Sequence, residues 1–314
     1  MFHSQDNISF IEEKKPCLII VTYNKIPNFE VIYKSIEKNN ISMVIIVDNS
    51  YENEIATSIE SSILSNFKSF FSVIRNIHNF GIAKGINIGL KKAIEMNYNY
   101  AFLLDDDAIV HENFFEYEFK MIKFLEKTET KIGGVCPIVC NDLRYLNKKF
   151  NFKNEIDLCK RIITSGVLIN TNIVKELGGY DETYFMEYAD VDFYTRMEKY
   201  GYKFFRINQV LVIQDFGRTL SNKSLSTVLG SLFQFSVSYL MIFLNRANDL
   251  TKKMSIYPPE RELQITRARK RYLKINPYAK NFGDIFYPFY LISISFLKFF
   301  AIKDLDYMRI IYEL

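Results

Sequence analysis

An α/β fold with a mostly parallel sheet is what this sequence predicts, on three observations. Short apolar runs alternate with helical patterns through the first two thirds of the chain. Each run stops on polar or acidic residues. The 314 residues, 48% hydrophobic with 28 Phe and 21 Tyr, also carry ample apolar side chains for a large core. The same composition excludes a disordered chain, a collagenous repeat and a small disulfide-stapled scaffold. Four cysteines, Cys17, Cys136, Cys140 and Cys159, are too few and too unevenly spaced for a disulfide framework or a zinc site, and are expected as buried free thiols. The N-terminus lacks a basic stretch followed by an apolar one, so a signal peptide is not expected and a reducing cytoplasm fits best.

The elements follow in order. Cys17 to Tyr23 (CLIIVTY) reads as a buried strand, and residues 28 to 39 as a helix. Met43 to Val47 is the next strand, ending on Asp48, Asn49 and Ser50, residue types that start turns and cap helices. Phe70 to Ile74 is a third strand and Ile82 to Met96 a helix. Tyr100 to Leu104 is a fourth strand that runs directly into Asp105, Asp106 and Asp107. Ligands of open α/β sheets bind beyond the carboxyl ends of the strands, so three polar strand ends in succession mark an edge that could bracket a nucleotide. Gly81, Gly85 and Gly89 recur every four residues on one helix face. They form neither a dinucleotide fingerprint nor a phosphate loop, and they suit either tight helix packing or close approach of a ligand.

Two acidic groups carry the chemistry. Three adjacent aspartates repel and raise one another's pKa, a cost that a divalent cation relieves. Carboxylate oxygens suit Mg2+ or Mn2+, which keep waters and take phosphate oxygens as further ligands. The second group runs from Gly178-Gly179-Tyr180-Asp181-Glu182 to Glu187-Tyr188-Ala189-Asp190-Val191-Asp192 and opens a helical pattern that stops at Gly201. Asp192 has Arg196 one turn on. Asp190, at the helix N-terminus, is expected to be held ionised, either as a cap or as a base near pH 7.

Taken in order, V-T-Y-N (21–24), V-D-N-S (47–50), N-F-G-I-A-K-G-I-N-I-G (79–89), L-L-D-D-D-A (103–108), G-G-Y-D-E (178–182), F-M-E-Y-A-D-V-D-F (185–193) and R-M-E-K-Y-G-Y (196–202) resemble the family 2 glycosyltransferases. The bacterial branch that adds rhamnose or galactofuranose to surface polysaccharides, capsule or lipopolysaccharide, is the part of the family it looks most like. The resemblance implies the GT-A nucleotide-sugar fold and a metal-dependent inverting transfer. It also implies roles by position: Thr22 and Asp48 on the base and sugar of the nucleotide, with Asn79 and Lys84 nearby. Asp105 and Asp107 would meet the ribose and the metal-bridged diphosphate, Asp106 would be the variable middle member of the donor-binding set, and Asp190 would be the catalytic base. The family usually sets a metal-binding histidine in H-x-x-G after the last strand. Here that segment is Gln214-Asp215-Phe216-Gly217, and the only histidines are His3, His78 and His111. Asp215 or Gln214 could replace the histidine, or Asp107 could hold Mn2+ or Mg2+ with the diphosphate and water. The acidic motif also reads A-D where many members have E-D.

Domain organisation is expected as a catalytic unit over residues 1–220 and a helical C-terminal extension over 221–314. Residues 246–314 hold 13 basic and 7 acidic side chains, so this tail is +6 while the whole chain is only +4. The uncharged stretch from Ser224 to Asn245 and the apolar run from Ile285 to Leu297 read as buried or interface-lying helices rather than membrane spans. Between them, Arg267, Arg269, Lys270, Arg271 and Lys274 suit either a solvated helix face or anionic lipid headgroups. The expected partners are a UDP- or dTDP-linked sugar donor and a glycan or lipid-linked glycan acceptor. The tail is expected to meet a membrane surface through residues 224–302, or a second copy of the chain through the same helices. Nucleic acid is not expected, because the basic tail lacks a recognition motif and the acidic front repels phosphate. The rival from another class is an inactive nucleotide-sugar-binding scaffold, favoured by the missing histidine.

Overall fold

The computed structural model describes residues 15–38, 40–128, 131–148, 155–159, 162–214, 218–219, 255–256 and 259–279. In chain order the elements are β1 (Cys17–Thr22), α1 (Phe29–Glu37), β2 (Met43–Asp48), α2 (Asn53–Ser62), β3 (Phe71–Arg75), α3 (Ile82–Glu95), β4 (Tyr100–Asp105), β5 (Ile109–Val110) and α4 (Phe114–Leu125). There follow β6 (Ile132–Cys140), β7 (Ile156–Cys159), β8 (Val167–Asn170), α5 (Thr171–Leu177), α6 (Ala189–Lys199), β9 (Lys203–Ile213), β10 (Arg218–Thr219), β11 (Ser255–Ile256) and α7 (Pro259–Ile275).

Nine strands among the described residues form one sheet, β3-β2-β1-β4-β8-β6-β9-β5, with β7 also on β9. The first four strands are parallel, because β1, β2 and β3 are joined through α1 and α2. After β3 the chain crosses back through α3 and places β4 on the other side of β1. This reversal between β1 and β4 is the switch point at which open α/β sheets leave a crevice for a ligand. The second half is mixed: β8 runs antiparallel to β4 and β6, β9 is parallel to β6, and β5 and β7 pair antiparallel with β9. Simple alternation of apolar runs carried no sign of this reversal.

Helices cover both faces of the parallel strands. Leu18 and Ile20 of β1, Val44 and Ile46 of β2 and Phe102 and Leu104 of β4 form one buried cluster with Ile32 and Ile36 of α1, Ile59 of α2 and Phe114, Phe115 and Ile122 of α4. Phe102 meets Phe115 edge to face, with centroids 4.9 Å apart, an arrangement that adds to the burial of two large apolar rings. The alternate β1 residues, Ile19 and Val21, face α3, and there two glycines have work to do. A Cβ on Gly85 would lie 2.5 Å from Val21 Cγ1, and one on Gly89 2.4 Å from Ile19 Cγ2. Of the two readings of the glycine repeat, close helix packing is the one these contacts support. Gly81 differs: its φ of +82° begins α3, and a Cβ there would meet the Phe185 carbonyl, which accepts the Ile82 N–H at 2.7 Å.

By contacts the chain divides into two compact units. One comprises residues 1–185 and 193–214 and holds the nine-stranded sheet. The other comprises 186–192 and 215–314, and its described part contains the antiparallel pair β10-β11 and α7. No helix among the described residues is long and apolar enough to cross a membrane. The apolar stretches 224–245 and 285–297 lie outside the described residues.

Candidate functional site

The register of the parallel strands brings three of the sequence-predicted residues together. Thr22 is level with Asp48 on β2, and Val21 is level with Asp105 on β4. Neighbouring parallel strands lie about 4.8 Å apart, so Thr22, Asp48 and Asp105 line the same carboxyl edge within two strand spacings.

Asp48 is 1% exposed, and its two oxygens are used differently. Oδ1 accepts the Ser50 N–H at 2.9 Å, while the buried Oδ2 has no hydrogen-bond partner. A buried carboxylate oxygen left unpaired costs free energy unless something supplies a donor, so Oδ2 is a ready acceptor for a ligand N–H. The surrounding turn is braced by its own polar side chains. Asn49 Nδ2 donates to the Gly81 carbonyl at 3.1 Å, Asn76 Nδ2 donates to Asn49 Oδ1 at 2.7 Å, and the Asn24 N–H donates to Ser50 Oγ at 2.8 Å. Asn79 accepts the Gly81 N–H on its side-chain oxygen at 2.9 Å, which shapes the turn into α3.

The three aspartates after β4 point three ways. Asp105 accepts a hydrogen bond on Oδ2 from Gln214 Nε2, and its backbone N–H donates to Ser165 Oγ at 3.2 Å. Asp106 turns inward. Thr22 Oγ1, which donates to the Lys25 carbonyl at 2.7 Å, lies 2.9 Å from Asp106 Oδ2, and burial pushes the Asp106 carboxyl above the usual range against the opposing pull of Thr22 and Lys25. Asp107 is the more open: its side chain is 32% exposed, against 14% for Asp106, and Lys25 Nζ stands 3.4 Å from its Oδ2. Lys25 is thus the cation facing two of the three acids, 3.8 Å from Asp106. Sequence reasoning passed over it although it directly follows V-T-Y-N.

Could these residues hold a divalent cation? Among the described residues no cluster of three histidine, cysteine or acidic side chains is arranged to hold a metal alone. The chemistry of the donors fits Mg2+ or Mn2+ nonetheless, because Asp106 and Asp107 face a single ammonium, Lys25, and such ions take water and phosphate oxygens for the rest of their shell. Gln214, at the position where a histidine was expected, spends its amide nitrogen on Asp105. Asp215 lies outside the described residues.

The glycine-rich turn of G-G-Y-D-E docks on α3 through Asn87. Its Nδ2 donates to the Tyr180 carbonyl at 2.9 Å, and its Oδ1 accepts the Tyr180 N–H at 2.8 Å. A Cβ on Gly179 would strike the Asn87 side chain, so this turn needs glycine there. Lys84, one turn earlier on α3, pairs with Glu182 at 3.5 Å and lies over the Phe80 ring at 4.4 Å. These contacts join two motifs almost a hundred residues apart.

Asp190 lies in the second unit, in the segment 186–192. Its Oδ1 accepts the Val191 N–H at 2.7 Å. Burial pushes its carboxyl up to about 6, backbone hydrogen bonds oppose this, and the Glu187 charge adds to the rise. Desolvation therefore outweighs the helix N-terminus, which was expected to favour the charged form. A carboxyl near 6 is still mostly ionised at pH 7 and is a better base than an ordinary aspartate.

Comparison with known proteins supplies independent placement. Residues 17–178 match the model of glycosyl transferase family 2. Over 209 residues the chain is 24% identical to the dTDP-rhamnosyl transferase RfbF of Shigella flexneri, an alignment covering 58% of this chain and 63% of that protein. A second relative, an uncharacterised glycosyltransferase of Acanthamoeba polyphaga mimivirus, is 33% identical over 76 residues, 24% of this chain and 28% of its own. The chain thus spans less than two thirds of the length of the curated relatives it matches. Among solved structures, a mannosyltransferase from Pyrobaculum calidifontis in complex with GDP-Man and Mn2+ aligns with a TM-score of 0.51 and 12% identity, covering 96% of this chain and 86% of that one. GalNAc-T7 with UDP, GalNAc and Mn2+ aligns with a TM-score of 0.52 and 14% identity, covering 65% and 44%. Both are likenesses of fold, a mixed α/β sheet flanked by helices as in GT-A structures. With over half its residues inside the family model and the strand-end acids in their expected order, the chain belongs to glycosyl transferase family 2.

Proposed function

We propose that this protein moves a sugar, with inversion, from a nucleoside-diphosphate donor to a hydroxyl of a surface-polysaccharide or lipid-linked acceptor. The observation that carries the reading is the buried, unpartnered Asp48 Oδ2 beside the switch point, one strand away from Thr22 and two from Asp105. An acceptor oxygen there suits a base that presents a ring N–H, as uracil and thymine do. Rhamnose and galactofuranose are the favoured sugars, with RfbF supporting the first.

Asp105 and Asp107 would hold Mn2+ or Mg2+, which supplies positive charge for the leaving diphosphate. Thr22, Asp48 and Lys84 serve the nucleotide end, and Asn79 shapes the turn beside it. Lys25 is placed to trade its contacts with Asp106 and Asp107 for a donor phosphate once those acids are otherwise neutralised. Asp190 takes the proton from the acceptor hydroxyl as that oxygen bonds to the anomeric carbon. The bond to the diphosphate oxygen breaks on the opposite face, so one displacement inverts the configuration.

Asp190→Asn tests the reading. Release of nucleoside diphosphate from dTDP-rhamnose or UDP-galactofuranose with Mn2+ is expected to fall about 10²- to 10⁴-fold. Calorimetric affinity for dTDP and UDP is expected to stay as in the wild type. Normal turnover by this variant removes Asp190 as the base. Donor binding without turnover by the wild type favours the inactive scaffold instead.

Attachment to the inner face of the cell membrane is part of the same reading. Arg267, Lys270, Arg271 and Lys274 recur at three- and four-residue spacing on α7 and are exposed, which suits anionic headgroups. Co-sedimentation of the full chain with phosphatidylglycerol vesicles, but not with phosphatidylcholine vesicles, is the expected result.

A further inference from the structure

The segment bearing Asp190 and helix α7 lie in one compact unit although Glu187 and Arg261, which meet there, are 74 positions apart. Two neighbouring residues make the connection. Glu187 Oε1 accepts from both Arg261 Nε at 3.1 Å and Arg261 Nη2 at 2.9 Å. The Tyr188 ring meets the Tyr272 ring at 5.5 Å, and Tyr272 is buried. Arg261 and Tyr272 are eleven residues apart on α7, three helical turns, and so share one face.

Tyr188 is the unusual residue of the segment. Its φ of +67° is left-handed, a conformation that an aromatic L-residue adopts only when its surroundings hold it there. Its carbonyl then accepts the Asp192 N–H at 2.9 Å, the bond that opens the helical ladder of α6. Asp190 sits inside that turn. Whatever fixes Tyr188 therefore fixes where Asp190 begins and how it is aimed.

We propose that α7 is a positioning element for the base, with Arg261 and Tyr272 clamping the Glu187-Tyr188 turn that presents Asp190. The inference rests on Asp190 acting as the base in glycosyl transfer, and it gives the C-terminal extension a part in catalysis. Arg261 has an electrostatic task as well as a mechanical one. Two charged groups enter: Glu187, on Asp190's own segment, raises the Asp190 pKa, and Arg261, on α7, offsets the Glu187 charge.

Two measurements on the full chain test this. Hydrogen exchange of peptides covering 186–192, which needs no substrate, is expected to quicken at the Asp192 N–H in Arg261→Ala and in Tyr272→Leu, and to stay as in the wild type in Arg261→Lys. The pH profile of nucleoside diphosphate release from dTDP-rhamnose with Mn2+ gives the second. In Arg261→Ala, kcat is expected to drop about ten- to a hundredfold with KM for the donor little changed, as follows from misplacing a reacting group. Its acid limb, expected near pH 6 in the wild type, is expected to move upward because Glu187 is left uncompensated. Glu187→Gln in the Arg261→Ala background brings the limb back down, which loss of packing alone would not do. Wild-type exchange in both Arg261→Ala and Tyr272→Leu overturns the proposal. So does an unmoved acid limb in Arg261→Ala. Turnover by Asp190→Asn would instead remove the base assignment, leaving the exchange result to judge the clamp by itself.

Discussion

The strand-end acids and the segment bearing Asp190 hold carboxylates ready for chemistry in opposite ways. At the sheet edge, Asp105, Asp106 and Asp107 are met by counter-groups: Gln214 on the first, Thr22 and Lys25 on the second, Lys25 on the third. Around Asp190 the charged neighbour is another carboxylate, Glu187, and burial does the rest. The difference suits the two proposed tasks. In the proposed function a group that binds cation and diphosphate has to remain anionic, and at Asp106 the counter-groups Thr22 and Lys25 oppose a rise that burial still causes. A group that must accept a proton works best when its pKa is brought near the working pH. Hydrogen bonds and ion pairs from other strand ends meet the first group, while burial and a neighbouring carboxylate raise the second.

The largest effect that would sharpen this contrast is at the edge. Asp105→Asn with Asp107→Asn removes two charges that the proposed divalent cation would use, and is expected to cost at least about a hundredfold in turnover, about 2.7 kcal/mol. Titrating Mn2+ against nucleoside diphosphate release should show the loss as a weaker metal response with the acid limb of the pH profile unmoved. A shifted limb would mean that the two acid groups are coupled, and the contrast would fail. Asp48→Asn comes next. The amide can present its NH2 where Oδ2 stood, so calorimetric UDP affinity is expected to weaken about tenfold, the order of one hydrogen bond to a charged group. The acid limb should again stay in place. Unchanged affinity would take Asp48 out of the nucleotide site.

The strand ends that make the edge were legible in the sequence because each is a local feature. Apolar runs mark the strands, and the residue after each run is the residue at the edge, so Thr22, Asp48 and Asp105 could be named without knowing the sheet order. What the sequence hid was pairing between distant segments. Nothing in the alternation of runs says that β8 enters antiparallel between β4 and β6. Nothing in an isolated Asn87 says that it clamps Tyr180 from both sides. Arg261 was invisible for the same reason: inside a basic, Tyr-rich tail it reads as one more surface charge, and only the contact with Glu187 gives it a task. The rise at Asp190 was missed because a helix N-terminus is a local cue, whereas desolvation depends on what the rest of the chain brings to the site.

The smallest effect tests whether desolvation acts the same way on a carboxyl that belongs to neither acid group. Glu118 on α4 is fully buried, and burial drives its carboxyl well above the usual range. The folded state therefore binds a proton that the unfolded state releases near pH 4.5, so the stability that Glu118 allows is fully present below that pH and is lost as pH rises toward its folded pKa. Glu118→Gln removes the titration. Its stability at pH 4.5 is expected within about 1 kcal/mol of the wild type, the scale of one net hydrogen bond. Between pH 5 and 8 its urea midpoint should fall less than that of the wild type. Parallel pH profiles for the two proteins would show that α4 or the sheet opens enough to hydrate the carboxylate. Burial alone would then be too weak a lever to account for an aspartate near 6, and Glu187 would have to supply most of the rise at Asp190.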